Sequence, residues 1–470
     1  MININSIKNQ KFNELNLVQI LFYSFPISFI LGNLIVSLHL LLFIILSLFL
    51  IKKKNLSFRF DNVNWILILF FSYLFLLTYF QFPKLAEIMP IDKLESLDLE
   101  QHPIFKSFLL LRFVVLIFII DTLFFNKVIN LKKFFLLSLI CTSFVSLDVI
   151  MQYFNEIDIF GYKNSGRYNA GPFGDELIAG SYLQKFSFFS IFYIFIFFEN
   201  KKFKNPLLIV TVIIHVIAII LAGNRMPMFL FLFGCFFIFL FLKQLRFLIF
   251  SSLFISIVIS FFIIKNNPQV SIAYANFLEN QIYLVEQGWK KTTNIFSLEK
   301  NLEIDNSENI SNSEKEIVKK ETTYLRTTGH MRIYRTSVEL WKERPWTGSG
   351  LKSFRIKCWE MMPRIKRLSC ANHSHNYYLE LLSEAGIIGT FLMVVIFIIL
   401  IKKSANIVFR SDDEINTKKY LLFPVIIIFL LEIWPLRSAG SFFTTWNATL
   451  FWLNASLLIA ASSKNGIKNY

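Results

Sequence analysis

The sequence predicts an all-α polytopic membrane protein. Three observations support this fold class: 55% of the 470 residues are hydrophobic and only 17% are charged, the mean hydropathy is +0.54, and apolar runs of 17 or more residues recur along the chain. A soluble domain has about a quarter of its residues charged. The composition therefore excludes an ordinary soluble enzyme. Because the charge must be divided between two sides of a membrane, the net charge of +16 does not indicate nucleic acid as a partner.

The apolar runs predict about twelve transmembrane helices, since a hydrocarbon core about 30 Å thick needs roughly 20 helical residues to cross it. Their predicted limits are 17–31, 34–51, 63–82, 104–125, 134–153, 181–198, 206–222, 226–242, 246–264, 377–401, 420–435 and 441–462.

Lys and Arg residues in short loops predict the orientation, because positive residues are retained on the cytoplasmic side. With the N-terminus inside, twenty-one Lys and Arg lie in cytoplasmic segments and six in the opposite short loops. Both termini are therefore expected to be cytoplasmic. Spans one to nine would occupy 1–264, a large external loop 265–376, and the last three spans 377–470. Within the loop, 297–325 is polar and rich in Asn, Ser, Glu and Lys, which predicts a flexible insertion.

Several charged residues lie where a membrane protein disfavours them. Arg225, in AGNRMP, occupies a short external link between two apolar runs, and Arg437, in WPLRSAGS, is a weaker case of the same kind. Either residue is a snorkelling interfacial arginine or a functional one. Arg112 and Glu432 lie within apolar runs, where ionisable groups usually face a bundle interior or water. We expect these two to have a pairing or functional role.

The stretch GHMRIYRTSVELWKERPWTGSGLKSF predicts a helix over 330–343 in the external loop, ended by Pro345 and a glycine-rich turn. Arg332 and Arg335 share one face of this helix. From periodicity alone, the simpler interpretation is a solvated face, and the alternative is an anion-binding face.

His373, His375 and Asn376 lie together where the external loop enters the tenth span. A histidine either takes a proton from a nucleophile near neutral pH or orients it by a hydrogen bond. The structural alternative is that His375 caps the following helix. Two histidines two residues apart, with no carboxylate or thiolate partner at ligand spacing, are weak support for a metal site. We therefore predict no metal.

The four cysteines fall into two classes. Cys358 and Cys370 lie in the external loop, which is oxidising if the compartment is a bacterial periplasm, and we expect them to form a disulfide. The bridge would close a loop of about 13 residues, worth roughly 3 kcal/mol on the chain-entropy model. Cys141 and Cys235 lie within apolar spans and are predicted to be small buried hydrophobic residues.

The segment HSHNYYLELLSEAGIIG resembles the signature of the O-antigen ligase and polymerase superfamily. Its members carry a His-Asn pair, an aromatic or aliphatic run, and Glu-x-Gly-hydrophobic-hydrophobic-Gly where a periplasmic loop enters the membrane. The stretch RIYRTSVELWKERPWTGSGLKSF resembles the family's Arg, Trp, Pro, Gly-x-Gly and Phe pattern. AGNRMP is similar to its arginine-bearing turn, and GRYNAGPFGDELIAGSYL to its loop before the sixth span. Together these stretches cover much of 166–390 in the expected order.

The resemblance implies a GT-C-like glycosyltransferase of the bacterial inner membrane that uses no metal and no other cofactor. Its donor would be a glycan on a polyprenyl diphosphate such as undecaprenyl diphosphate, and its acceptor lipid A-core or another glycan. By motif, the family's functional residues fall on His375, Arg225 and Arg332. Further candidates for donor or acceptor binding are Arg167, Arg335, His373, Asn376 and Arg437. The chain departs from the commonest pattern in the polar insertion before 326 and in the second histidine.

Four functions remain open on the sequence alone. An O-antigen ligase of lipopolysaccharide biosynthesis is favoured, because twelve spans and one large late loop carrying both Arg332 and His375 are similar to that branch. An O-antigen polymerase and a protein O-glycosyltransferase would use the same donor. A lipid-linked sugar flippase or transporter is the alternative from another class, but it would be expected to have a midplane site and repeated halves. No such repeat is visible in the sequence.

Overall fold

The computed structural model describes residues 14–58, 62–89, 102–198, 202–265, 271–272, 274–275, 329–363, 368–409, 416–438 and 440–461. Regular structure in these ranges is helical, apart from two isolated β-bridges in the segment after residue 156. The insertion predicted at 297–325 lies outside the described residues.

The α-helices in the described ranges, in chain order, are α1 (Glu14–Tyr23), α2 (Phe25–Ile30), α3 (Asn33–Lys53), α4 (Asn62–Glu87), α5 (Pro103–Leu110), α6 (Arg112–Phe125), α7 (Leu131–Asn155), α8 (Ala179–Phe197), α9 (Lys204–Leu221), α10 (Arg225–Phe241), α11 (Arg246–Lys265), α12 (Gly329–Glu343), α13 (Phe354–Met361), α14 (Tyr377–Phe409), α15 (Asn416–Glu432) and α16 (Thr445–Ala461). Short 3-10 turns occupy Gly171–Phe173 and Lys243–Leu245.

Seven helical segments of the described chain are long and apolar enough to cross a membrane: Asn33–Lys53, Val63–Glu87, Pro103–Phe125, Leu131–Asn155, Lys204–Leu221, Lys243–Lys265 and Tyr377–Phe409. The polytopic helical class is therefore confirmed, whereas the count of twelve and the placement of the large loop stay predictions. One reason for the lower count is that some apolar runs fold as short pieces. The run at 17–31 forms α1 and α2, with Pro26 at the start of the second helix.

Two helices form the centre of the bundle. Side chains of α8 are buried almost continuously from its first residue to Phe195, and those of α16 from Trp446 to Ala461. A helix that is buried on all sides belongs in the interior. Helix α11 is peripheral and exposes a series of phenylalanines, including Phe250, Phe254 and Phe261. Because an apolar surface of this kind is costly in water, it is suited to contact lipid.

Helix α14 is broken at Gly386, whose φ of 66° and ψ of −170° are not helical. The break leaves main-chain groups without partners inside the helix, and the segment 345–350 supplies them. The four hydrogen bonds run from Ile387 N to Pro345 O (2.9 Å), from Ile388 N to Trp346 O (3.1 Å), from Ser349 N to Ser383 O (3.2 Å) and from Gly350 N to Glu384 O (2.8 Å). The Tyr73 hydroxyl of α4 lies 3.0 Å from the Thr347 carbonyl oxygen and 2.9 Å from that of Ala385.

This contact requires glycine on both sides. A Cβ added to Gly386 would lie 2.4 Å from the carbonyl oxygen of Trp346, and one added to Gly348 would lie 2.5 Å from the Gly386 nitrogen. Both glycines also have positive φ. The Gly-x-Gly and Glu-x-Gly motifs, separate in sequence, are therefore two halves of one main-chain contact.

Helices α12 and α13 pack together around a small core that is separate from the main hydrophobic core. Their shared core contains Ile333, Leu340, Phe354, Cys358, Met361 and Leu368. The Thr336 hydroxyl donates to the Ser369 carbonyl oxygen at 2.9 Å and accepts from the Ser369 N–H at 3.2 Å. This small core holds the chain that leads from α13 to the histidines.

In the structure Cys358 and Cys370 form a disulfide, with their Cα atoms 5.5 Å apart. We expect this bond in protein taken from the membrane, since the separation lies within the usual disulfide range. Mass spectrometry of non-reduced peptides would detect the linked pair. Full alkylation of both thiols without reductant would contradict the prediction, and the buried Cys141 and Cys235 serve as controls for denaturation before alkylation.

Candidate functional site

Three imidazole rings meet where α12 and α14 begin. The ring centroids of His373 and His375 are 4.1 Å apart, and those of His330 and His375 are 5.0 Å apart with the rings nearly perpendicular. His375 has a φ of 54°, in the left-handed region that few non-glycine residues adopt. The strained backbone places His375 between the loop and the first turn of α14.

Asn376 supplies the helix cap for α14. Its Oδ1 accepts the main-chain N–H groups of Tyr378 at 3.0 Å and Leu379 at 3.2 Å, as an N-cap side chain does. Its Nδ2 donates to the Pro435 carbonyl oxygen at 2.8 Å. The capping role considered for His375 is thus performed by Asn376. The amide also ties the start of α14 to the link between α15 and α16.

Sequence reasoning missed His330. It lies within the stretch that predicted α12, and Tyr334, one turn further on, lies on the same face. Desolvation of the imidazole lowers the pKa of His330, and the guanidinium of Arg225 lowers it further. His330 is therefore a neighbour of both His375 and Arg225. The i, i+4 spacing of His330 and Tyr334 is a weak signal that becomes informative only once the packing of α12 is known.

A tight turn before α10 positions Arg225. Gly223 in this turn has a φ of 79°, and a Cβ there would lie 2.5 Å from the carbonyl oxygen of Arg167. The contact brings the loops that carry Arg167 and Arg225 together. Burial raises the pKa of Tyr274, and both guanidiniums oppose that shift, Arg225 more than Arg167. Two arginines predicted from separate stretches are therefore neighbours around Tyr274.

Arg332 and Arg335 are exposed on α12. Arg332 is two residues after His330, about 200° around the helix, so it projects from a different face than the one that contacts His375. The solvated-face interpretation agrees with this exposure. The donor-binding role of Arg332 stays a prediction that rests on the motif.

Arg437 belongs to a buried ion cluster behind the histidines. It is 6% exposed, and its Nη1 lies 2.6 Å from Oε2 of Glu432. Lys185 Nζ lies 2.9 Å from the other carboxylate oxygen. The Tyr377 hydroxyl donates to Glu432 at 3.2 Å, and the Arg437 guanidinium lies 4.9 Å from the Tyr377 ring centre. The expected pairing of Glu432 is present, and a direct contact of Arg437 with donor or acceptor stays a prediction.

Arg112 also has hydrogen-bond partners inside the bundle. Its guanidinium donates to the Ser37 hydroxyl at 2.9 Å and to the Thr445 hydroxyl at 3.4 Å. These bonds link α6 to α3 and α16. The pairing role expected for Arg112 therefore accounts for its place in an apolar run.

The described parts of the chain contain no group of three or more His, Cys, Asp or Glu side chains suited to hold a metal ion. The groups described around His375 are the imidazoles of His330 and His373 and, next to His330, the guanidinium of Arg225. Such groups bind and stabilise anions.

Residues 209–394 match the O-antigen ligase family model. A comparison with curated proteins gives no match. The matched region contains Arg225, Arg332 and His375, together with both halves of the glycine contact, whereas Arg167 and Arg437 lie outside it. The resemblance seen in the motifs is confirmed: residues 209–394 of this polytopic helical protein are similar to the O-antigen ligase family.

Proposed function

We propose that the protein is an O-antigen ligase. It would move an O-antigen-type glycan from a polyprenyl-diphosphate carrier to a hydroxyl of lipid A-core, with inversion and without a metal ion. The observation that carries the proposal is the arrangement at the end of an apolar bundle: the His330 and His375 rings are in contact, and His330 lies within the field of Arg225. The family match at 209–394 supports a membrane glycan transferase in general.

The donor diphosphate is assigned to Arg225, with Arg167 as its neighbour. As the glycosidic bond to the diphosphate breaks, negative charge develops on the leaving oxygen, and a fixed guanidinium stabilises that charge. Arginine suits this task because its planar fork donates two parallel hydrogen bonds to a phosphate. The polyprenyl tail would lie against apolar helices, so that the sugar is presented at the end of the bundle where His375 lies.

His375 is assigned to the acceptor. It takes the proton of the acceptor hydroxyl while that oxygen forms a bond to the anomeric carbon, and the bond to the diphosphate oxygen breaks on the opposite face. The leaving diphosphate keeps the electron pair. Because the pKa of His330 is lowered, its ring is neutral near pH 7. A neutral His330 leaves His375 able to accept a proton, whereas a positively charged His330 would oppose protonation of His375.

The ligase is favoured over the polymerase and the protein O-glycosyltransferase by the large late segment that carries both Arg332 and His375. In this proposal that segment is periplasmic, the protein lies in the inner membrane, and both termini are cytoplasmic, as the distribution of Lys and Arg predicts.

Deletion of the gene, followed by gel analysis of surface lipopolysaccharide, tests the proposed function. Loss of polymer attached to lipid A-core, restored by the wild-type gene, is the expected result. A ladder that stops at one repeat unit would instead identify a polymerase. Unchanged lipopolysaccharide with lost glycoprotein would identify a protein O-glycosyltransferase, and unchanged lipopolysaccharide and glycoprotein would contradict all three transferases.

Replacement of Arg225 by Ala is expected to lower transfer by roughly 10²- to 10³-fold, the usual loss for one donor that stabilises a developing oxyanion. Arg225→Lys keeps the charge but loses the bidentate geometry, so it should also be impaired. The same pair of changes at Arg332 tests the role predicted from the motif. Transfer is measured in membranes at matched expression.

Arg246→Ala is the matched control, since Arg246 also begins an apolar helix but lies after the far end of α10. It should retain wild-type transfer. Wild-type turnover in Arg225→Ala would exclude the proposed donor contact, and wild-type turnover in Arg332→Ala would leave Arg332 as part of a solvated helix face.

A further inference from the structure

A polar pocket lies away from the histidines, between the last turn of α4 and the junction of α12 with α13. Its volume is about 310 Å³, and its polar lining consists of Gln81, Lys84, Glu343, Arg344, Ser349, Lys357 and Glu360. It has room for one sugar residue. No residue assigned above to the donor or to His375 lines it.

Ser349 contributes to the pocket wall a buried hydroxyl that has no hydrogen-bond partner among the described residues. The residue is 2% exposed. Its main-chain N–H donates to Ser383, but its Oγ has no hydrogen-bond partner within the described structure. A buried hydroxyl without a partner costs about 1–3 kcal/mol. A ligand hydroxyl or oxyanion in the pocket would remove that cost.

Arg344 gives the pocket its charge preference. Its Nη1 donates to Oε1 of Gln81, and it forms no ion pair with any carboxylate in the described ranges. Lys357, by contrast, is neutralised by Glu343 at 2.7 Å. The half-buried guanidinium is therefore held in place by a neutral partner and has donors left for an anion. Carboxylates and phosphates accept such donors in pairs.

The position of the pocket indicates which glycan it would take. Arg344 is the first residue after α12 and follows His330 by 14 residues, which corresponds to about 21 Å in a helix. Helix α4 belongs to a candidate membrane span, Val63–Glu87, and its last turn forms one wall. The pocket thus lies at the membrane edge, about 21 Å from the histidines. An acceptor glycan that is anchored in the membrane by its lipid must extend over a distance of this kind to reach His375.

We propose that this pocket binds an anionic sugar residue, bearing a carboxylate or a phosphate, in the part of the acceptor glycan nearest its lipid anchor. The inference rests on the proposed transferase function and adds a substrate contact to it. Arg344 binds the anionic group, Ser349 Oγ bonds to a ring oxygen or hydroxyl, and Gln81 holds the guanidinium in place.

The test uses the purified full-length protein in lipid nanodiscs, with donor and with lipopolysaccharide from a strain that lacks O-antigen as the acceptor. In Arg344→Ala the KM for acceptor is expected to rise roughly 10- to 100-fold, as for a lost hydrogen bond to a charged group. The KM for donor should stay the same. Lys342→Ala is the matched control, because Lys342 is on the same helix, its side chain is 59% exposed, and it does not line the pocket.

Ser349→Ala gives a second test that does not depend on the charge. Its acceptor KM should rise by about 3- to 10-fold, the range for a neutral hydrogen bond. Its melting temperature should not fall, because the change removes a hydroxyl that has no partner in the unliganded protein. A purely structural role for Ser349 would instead lower the melting temperature and leave the acceptor KM unchanged.

Chemical modification of the acceptor identifies the anionic group. If the group is a carboxylate, the carboxyl-reduced acceptor should have the same KM with the wild type and with Arg344→Ala. If the group is a phosphate, the dephosphorylated acceptor should have the same KM with both proteins. Wild-type acceptor KM in both pocket variants overturns the inference, and so does an Arg344→Ala effect that persists with both modified acceptors. Wild-type protein that transfers no glycan refutes the proposed function itself.

Discussion

Replacement of His375 by Asn should lower glycan transfer by roughly 10²- to 10⁴-fold, the usual contribution of general acid–base catalysis. Asn is the informative substitution because His375 has a φ of 54°, and Asn adopts the left-handed conformation more readily than other non-glycine residues. The backbone should therefore remain in place while the group that accepts a proton near neutral pH is lost. The measurement is transfer by the purified variant, together with donor binding.

Two outcomes of His375→Asn separate the possible roles of His375. Loss of transfer with normal donor binding supports the role of His375 as the general base. Near-normal transfer in His375→Asn would exclude a general-base role for His375 and leave orientation of the acceptor as its role. His373→Ala is the comparison within the cluster and should be milder, because His373 has the weaker motif match. His330→Ala tests the residue that the tertiary contact revealed, and its effect should fall between the two.

Replacement of Gly386 by Ala should prevent the correct folding of the site. The φ and ψ of Gly386 belong to a region that is essentially restricted to glycine, and the new Cβ would lie 2.4 Å from the Trp346 carbonyl oxygen. The backbone strain and the clash together should lower the free energy of unfolding by more than about 3 kcal/mol. The expected result is a large fall in the melting temperature and in the yield of monodisperse protein in detergent.

Gly161→Ala is the matched control for this prediction. Gly161 also has a positive φ, of 89°, but no atom lies within 4 Å of the position that a Cβ would take. Gly161→Ala should therefore lower the free energy of unfolding only through backbone strain, by about 1–2 kcal/mol. Equal stability of Gly386→Ala and Gly161→Ala would show that the contact between segment 345–350 and the break in α14 contributes little. Gly348→Ala should resemble Gly386→Ala, because it blocks the same contact from the other side.

Hydropathy was sufficient to predict the class of protein, and motif chemistry supplied part of the candidate site. Apolar runs predict membrane helices because their length must match the hydrocarbon core, and seven described segments meet that requirement. The count of twelve could not be checked by length alone, since runs such as 17–31 fold as two short helices. Arg225 was recognisable as a candidate because it lies in a short link that the distribution of Lys and Arg predicts to be external, where positive residues are disfavoured.

The sequence by itself determined the helical membrane class, the family motifs and the residues with the right chemistry, because these depend on composition and local spacing. Only the tertiary structure decided which of these groups meet. His330 joins His375 because α12 packs against α14, and Arg437 is bound to Glu432 across the link that follows α15. The physical reason is that helical periodicity reports which residues share a face, whereas contacts such as that of Gly348 with Gly386 depend on how separate segments satisfy each other's main-chain hydrogen bonds.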